Sequence, residues 1–351
     1  MAAYNFESLV VTVVEDNGFI RNTFANLLLS FGIKRITTLK NGEEAINMLK
    51  EMKRDQNPGP DILFTDIVMA PINGLLLLRW ARTAVDSPNR FVPTVMVSGA
   101  ADRNYVESAR DLGASEFLAK PFSAKAVSDH LMEIIDRPRP FVTTQKFFGP
   151  DRRRRKDGPA PSGDERRRAG EDHVNLVYSA DKRVKAKQPS DVWYFHLPNR
   201  LREKVGGFQG EAGEFPLDLI DEAETQLERA QFDFTTWAQE YLAQLSELCT
   251  QALAETRSRS KQFEEMHLLA LELRGQGGTF GYPLISTFGK MLFDATVEGC
   301  PENNSQVEIA KAHIDAMRAV LRDKVEGDGG EIGRALLQSL QMAIERHQVV
   351  R

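Results

Sequence analysis

Cysteine is scarce in this chain: two in 351 residues, Cys249 and Cys300. Neither stands in a spacing that builds a metal module or a disulfide framework, so a stapled secreted scaffold is excluded and a reducing compartment, the cytoplasm, is expected. Long apolar runs are missing as well. No stretch of 18 apolar residues occurs, and no membrane span is expected. The first residues, MAAYNFESLVVTVVED, carry no basic start and reach acids after one short apolar run, which reads as a strand and not a leader. Charge of one sign is lacking too. With 45 Lys and Arg against 50 Asp and Glu, the net charge of −5 does not mark the whole chain as a nucleic-acid binder. Phosphate-cradling loops are absent. The glycine-rich stretch LALELRGQGGTFGY (269–282) follows no strand, has Phe280 where the third glycine of G-x-G-x-x-G belongs, and lacks G-x-x-x-x-G-K.

What is present is a regular alternation over residues 8–136. Strand-like runs SLVVTVVE, KRITTLK, DILFTD, FVPTVMVSG and ASEFLAK are separated by helical stripes such as Phe24, Leu27, Leu28 and Phe31. The central runs are almost continuously apolar, as in strands covered on both faces. Five βα units predict an α/β fold, a doubly wound five-stranded parallel sheet whose function gathers at the carboxyl ends of the strands.

At those ends stands a chemical set. Strand one ends in Glu15-Asp16, strand three in Asp66, strand four in Ser98 and strand five in Lys120-Pro121. Three converging carboxylates repel unless a cation neutralises them, and hard oxygen ligands suit Mg²⁺. A nucleophilic carboxylate beside a hydroxyl and an ammonium is a phosphoryl-transfer set.

Residues 8–136 thus resemble the receiver domain of two-component response regulators, with Gly74 eight residues after Asp66. The resemblance implies a flavodoxin-like fold, Asp66 as phosphoacceptor, and Glu15, Asp16, Asp66 and the backbone carbonyl of Val68 as Mg²⁺ ligands. It implies Ser98 as the switch hydroxyl, Lys120 as the phosphoryl contact, Phe117 as the switch aromatic, and a cis Lys120–Pro121 bond. It also implies a sensor histidine kinase or a histidine-phosphotransfer (Hpt) protein as donor, and a signalling role instead of an enzyme's. One departure is Ala70 where the family usually has Pro, with Pro71 next.

The domains are read as a receiver over 1–137, a basic Pro/Gly/Arg-rich linker, partly disordered, over 138–214, and an all-α antiparallel bundle over 215–351. In the linker, Arg152–Arg155 and Arg166–Arg168 form a basic tract interrupted by acids. An RNA- or membrane-associated regulator acting through this tract stays open as an alternative, although nucleic acid is disfavoured. In the bundle, Leu271-Glu-Leu273-Arg274-Gly275 resembles the His-x-Leu-Lys-Gly core of Hpt domains, with Leu271 where the phosphoacceptor His belongs. The resemblance implies a degenerate Hpt-like scaffold that binds a protein partner, with His267, Leu271, Arg274 and Gly275 as a candidate docking face. A phosphorelay role for His267, one turn before Leu271, is a further alternative, and a homodimer stays open. Three apolar stripes at helical spacing argue for the bundle: Trp237, Tyr241, Leu245, Leu248 and Ala252; Val307, Ala310, Ile314, Met317 and Leu321; and Ile332, Leu336, Leu340 and Ile344.

Overall fold

Apolar strands that alternate with amphipathic helices can bury both faces of a sheet only if the helices cross over it. The computed structural model shows that arrangement. It describes residues 3–99, 103–152, 175–184, 186–188, 191–206, 213–255 and 258–348. The chain divides into two compact units, Met1–Leu118 with Ala124–Ala223, and Ala119–Ser123 with Glu224–Arg351.

In the first unit, β1 (Val10–Val14), β2 (Arg35–Leu39), β3 (Ile62–Asp66), β4 (Thr94–Ser98) and β5 (Glu116–Ala119) form one sheet in the order β2-β1-β3-β4-β5. The β1–β2, β1–β3 and β3–β4 pairs are parallel. Every residue of β3 and β4 is buried, whereas β2 at the edge is largely not. Helices α1 (Gly18–Ser30), α2 (Gly42–Arg54), α3 (Gly74–Thr83), α4 (Arg103–Leu112) and α5 (Ala124–Asp136) cover the sheet. Three of them start on asparagine. Asn17, Asn41 and Asn73 each accept backbone N–H bonds from the first turn of α1, α2 and α3.

The stretch read as linker is more than a linker. Its described residues hold β6 (Phe141–Thr143), β7 (Phe148–Pro150), β8 (Asn175–Val177), β9 (Trp193–Phe195) and α6 (Arg200–Lys204). The four strands form a second sheet in the order β7-β6-β9-β8. Two arginines explain why such short strands hold. Arg82, fully buried on α3, donates to the carbonyls of Gly113 (3.0 Å), Arg90 (3.0 Å) and Val92 (2.8 Å) and lies 5.2 Å from the centre of the Phe141 ring. Arg90 sits over Phe148 (4.4 Å), Phe91 (4.9 Å) and Phe195 (5.1 Å). Guanidinium–ring stacking of this kind, desolvated, contributes on the order of 1–2 kcal/mol per contact. Burial pushes the Arg82 guanidinium down to about 9 and Arg90 to about 10. The arginine run from Arg153 to Arg168 lies outside the described residues.

The second unit is helical. One continuous helix, α7 (Leu217–Ala254), opens it, and α8 (Ser260–Gln276), α9 (Pro283–Ala295), α10 (Asn304–Arg322) and α11 (Gly330–Gln348) follow. Helix α8 packs on α9, α9 on α10, and α10 on α11. The glycine-rich stretch is the end of α8 and its turn. A Cβ at Gly277 would lie 2.6 Å from the Tyr282 carbonyl oxygen, and one at Gly289 would lie 2.6 Å from the Arg274 nitrogen. Small residues therefore let α8 and α9 approach closely. The expected stripe on α10 is buried throughout, from Val307 to Leu321. The expected stripe on α11 is not. Leu340 is 3% exposed, but Ile332 is 57% exposed. A single helical period cannot say which of two apolar flanks faces the neighbour.

Candidate functional site

The carboxyl ends of β1 and β3 bring the acids together. Glu15 and Asp16 follow β1 directly, and Asp66 is the last residue of β3, its neighbour. One carboxylate oxygen from each of Glu15, Asp16 and Asp66 lies within 4.8 Å of the others. Glu15 and Asp66 are buried and Asp16 is exposed, so the cluster opens to water on the Asp16 side.

Local bonds hold this loop. Arg21, one turn into α1, donates to the carbonyl of Glu15 (2.7 Å) and of Asp16 (3.2 Å). The Asn17 N–H donates to Glu15 Oε1 at 3.3 Å, and the Asn17 side chain caps α1. The Ile67 N–H donates to Asp66 Oδ1 at 2.6 Å, and Thr65 Oγ1 donates to the Asp66 carbonyl at 3.0 Å. The sequence reading passed over these supports. Asn17 was visible as an N-cap before a helical run; Arg21 and Thr65 carried no pattern of their own.

Electrostatics set the chemistry. Two carboxylates up to 4.8 Å apart repel by at least about 3.5 kcal/mol at an effective dielectric of ~20. The donor set fits Mg²⁺. Oxygen ligands at ~2.1 Å in octahedral geometry stand about 3.0 Å apart when adjacent and about 4.2 Å when opposite, and the oxygens of this cluster all lie within 4.8 Å of one another.

Ser98 ends β4, next to β3 in the sheet, and is buried. Lys120 follows β5, is buried, and precedes a cis bond to Pro121, as expected. The Ala70–Pro71 bond is cis as well. Val68 and Phe117 are half-buried and pack on Ile67, Leu78, Met96, Ala109 and Ala114.

These features coincide with a family match. The model of the response regulator receiver domain matches residues 11–132. Residues 11–132 are a receiver domain. The polar-differentiation response regulator DivK of Brucella anthropi is 29% identical over 113 residues, 32% of this chain and 85% of that protein. Among solved structures, the chemotaxis protein CheY4 of Vibrio cholerae is 21% identical, covering 36% of this chain and 98% of its own, with a TM-score of 0.31. The CheX–CheY–BeF3–Mg complex of Borrelia burgdorferi is 25% identical, covering 36% of this chain and 88% of its own, with a TM-score of 0.32. The receiver is homologous to response regulators of this type, which supports a role in two-component signalling.

The helical residues singled out in the sequence have structural employment. His267 Nδ1 lies 3.1 Å from the Phe293 carbonyl and 3.3 Å from Thr296 Oγ1, and its ring stacks on Phe293 with centroids 3.8 Å apart. It therefore closes the C-terminal turn of α9, and burial holds its pKa below the ordinary histidine value. Arg274 lies 5.2 Å from the centre of the same ring. Leu271 and Gly275 are buried, so of the candidate docking face only His267 and Arg274 show partial exposure. His313 is buried too, with Nδ1 at 2.7 Å from the Ile309 carbonyl. No helix among the described residues is long and apolar enough to cross a membrane.

Proposed function

We propose that this chain is a cytoplasmic response regulator in which Asp66 accepts a phosphoryl group from a sensor histidine kinase or an Hpt protein. The observation that carries the reading is the carboxylate trio at the strand ends of a receiver domain. In the step, a carboxylate oxygen of Asp66 attacks the phosphorus of a phosphohistidine. The O–P bond of an acyl phosphate forms, the N–P bond breaks, and the imidazole leaves with a proton from solvent. Glu15, Asp16, Asp66 and the Val68 carbonyl would hold Mg²⁺. When bound, the ion supplies charge neutralisation for the incoming phosphoryl oxygens. Lys120 contributes positive charge on the same edge, and the Ser98 hydroxyl donates to a phosphoryl oxygen. Phe117 then turns inward and changes the α4–β5–α5 face.

The helical region is read as an antiparallel, Hpt-like bundle without a phosphoacceptor, whose output is protein binding and not catalysis. The engagement of His267 Nδ1 by Phe293 and Thr296 favours this over a phosphorelay role for His267.

Intact mass after a small-molecule phosphodonor with Mg²⁺ tests the reading. Wild type and His267→Ala gain one phosphoryl mass, and Asp66→Ala gains none. A gain in Asp66→Ala, or its loss in His267→Ala alone, overturns the assignment.

A further inference from the structure

Helix α11 presents an outward face that the described residues leave uncovered. At 100° per residue, Ile332, Ala335, Leu336, Ser339, Met342 and Ala343 fall on one face about 120° wide. Ile332 and Met342 are 57% and 56% exposed, Ala335 and Ser339 are exposed, and Leu336 and Ala343 are half-buried. No charged residue stands on this face between Glu331 and Arg346. The core-facing side of the helix is a different one, marked by Gly333 and Leu340. Solvated helix faces normally carry charge, and an uncharged apolar one marks a contact surface.

The order of residues along the helix selects the occupant. Glu331 lies in the first turn, and Arg346 and His347 lie in the last. Two copies of α11 laid antiparallel about a two-fold axis at Ser339 would set Glu331 opposite the basic turn at both ends. The same register sets Leu336 opposite Met342, Ala335 opposite Ala343, and Ser339 opposite itself. Small residues repeat every four positions at the centre (Ala335, Ser339, Ala343), which permits close helix approach, while the larger side chains flank them. Antiparallel alignment also pairs opposite helix-dipole ends. A parallel register would set Glu331 on Glu331 and Arg346 on Arg346.

We infer that α11 is the self-association surface of this protein, pairing antiparallel with α11 of a second copy about Ser339. A single helix face ~28 Å long and ~10 Å wide covers roughly 300 Å², well under the ~800 Å² per partner of a standard interface. The association is accordingly weak, in the micromolar range.

Sedimentation velocity on the full chain across about 1–200 µM, a range bracketing that affinity, tests it, with analogous runs on surface variants. Ser339→Glu sets two like charges on the axis and weakens dimerisation at least roughly tenfold, without changing the circular dichroism. Glu331→Arg and Arg346→Glu each weaken it, and the double swap restores it. Register is read by diamide oxidation in a Cys300→Ser background, Cys249 being buried. Ser339→Cys forms a disulfide-linked dimer, and Ile332→Cys, which faces Arg346 of the second copy, does not. A monomer at every concentration, a Ser339→Glu dimer of undiminished affinity, or faster cross-linking through Ile332→Cys overturns the inference.

Discussion

Replacing Gly74 by alanine tests whether the phosphoacceptor strand end is shaped by the helix that follows it. A Cβ on Gly74 would stand 1.9 Å from the Asp66 carbonyl oxygen, 2.9 Å from its carbonyl carbon and 3.1 Å from Thr65 Oγ1. A normal carbon–oxygen contact is ~3.3 Å, so the start of α3 or the end of β3 must move by more than about 1 Å. Two bonds resist that movement. Gly74 N–H donates to the Ile67 carbonyl at 3.0 Å, and Asn73 caps α3 through the Leu76 N–H. Overpacking of this kind costs about 1–3 kcal/mol. Against it stands the ordinary gain of Gly→Ala in a helix, at most ~1 kcal/mol. The expected net is a destabilisation of about 1–2 kcal/mol, with phosphoryl acceptance slowed because Asp66 itself is displaced. Gly18 is the matched control. It also opens a helix behind a capping asparagine, but its Cβ would meet only Arg21 Nη2, at 3.5 Å. Gly18→Ala is expected to be neutral or stabilising by ~0.5 kcal/mol. Urea denaturation, with hydrogen exchange read on the β3–α3 peptides, measures the first effect, and phosphorylation rate the second. Equal stability and equal rate for the two alanine variants would refute the reasoning.

Two further outcomes follow from the site and from the helical unit. Mg²⁺ at millimolar concentration is expected to raise the melting temperature of the receiver in wild type, because it binds the folded acid cluster and relieves its repulsion. Glu15→Gln loses most of that increment and Asp66→Asn is more stable than wild type without the ion; calorimetry with and without EDTA decides, and an unchanged Mg²⁺ response in Glu15→Gln would count against the cluster as the site. Burial holds His313 below the ordinary histidine value of 6.5. The unfolded chain thus binds a proton at higher pH than the folded one, and the stability of the helical unit, complete above about pH 6.5, is lost progressively as pH falls through that value. Hydrogen exchange on α10 at pH 7.5 and 5.5 measures the loss; a His313→Leu variant with the same slope would remove His313 as its cause.

Much of the receiver was readable because its chemistry lies at strand ends. The runs ending in Glu15-Asp16, Asp66 and Ser98 are almost continuously apolar, so alternation with helical stripes points to a parallel sheet, and a parallel sheet gathers those ends on one edge. The sequence therefore determined the βα order and which acids stand together at the strand ends.

Other features depended on long-range contacts and had no local pattern to announce them. The strands of the second sheet are three residues long, too short for an alternation to register. They exist because Phe141, Phe148 and Phe195 close over Arg82 and Arg90, which come from the receiver tens of residues earlier. His267 read as a candidate acceptor until α9 supplied the carbonyl it closes. The stripe on α11 was visible, but its inner and outer flanks share one period, and only the packing of α10 decided which side stays in water. Gly74 matched a spacing, and its reason is the Asp66 carbonyl oxygen that leaves no room for a Cβ. Composition and periodicity constrain what each segment can bury; the partner that buries it is chosen only when distant segments meet.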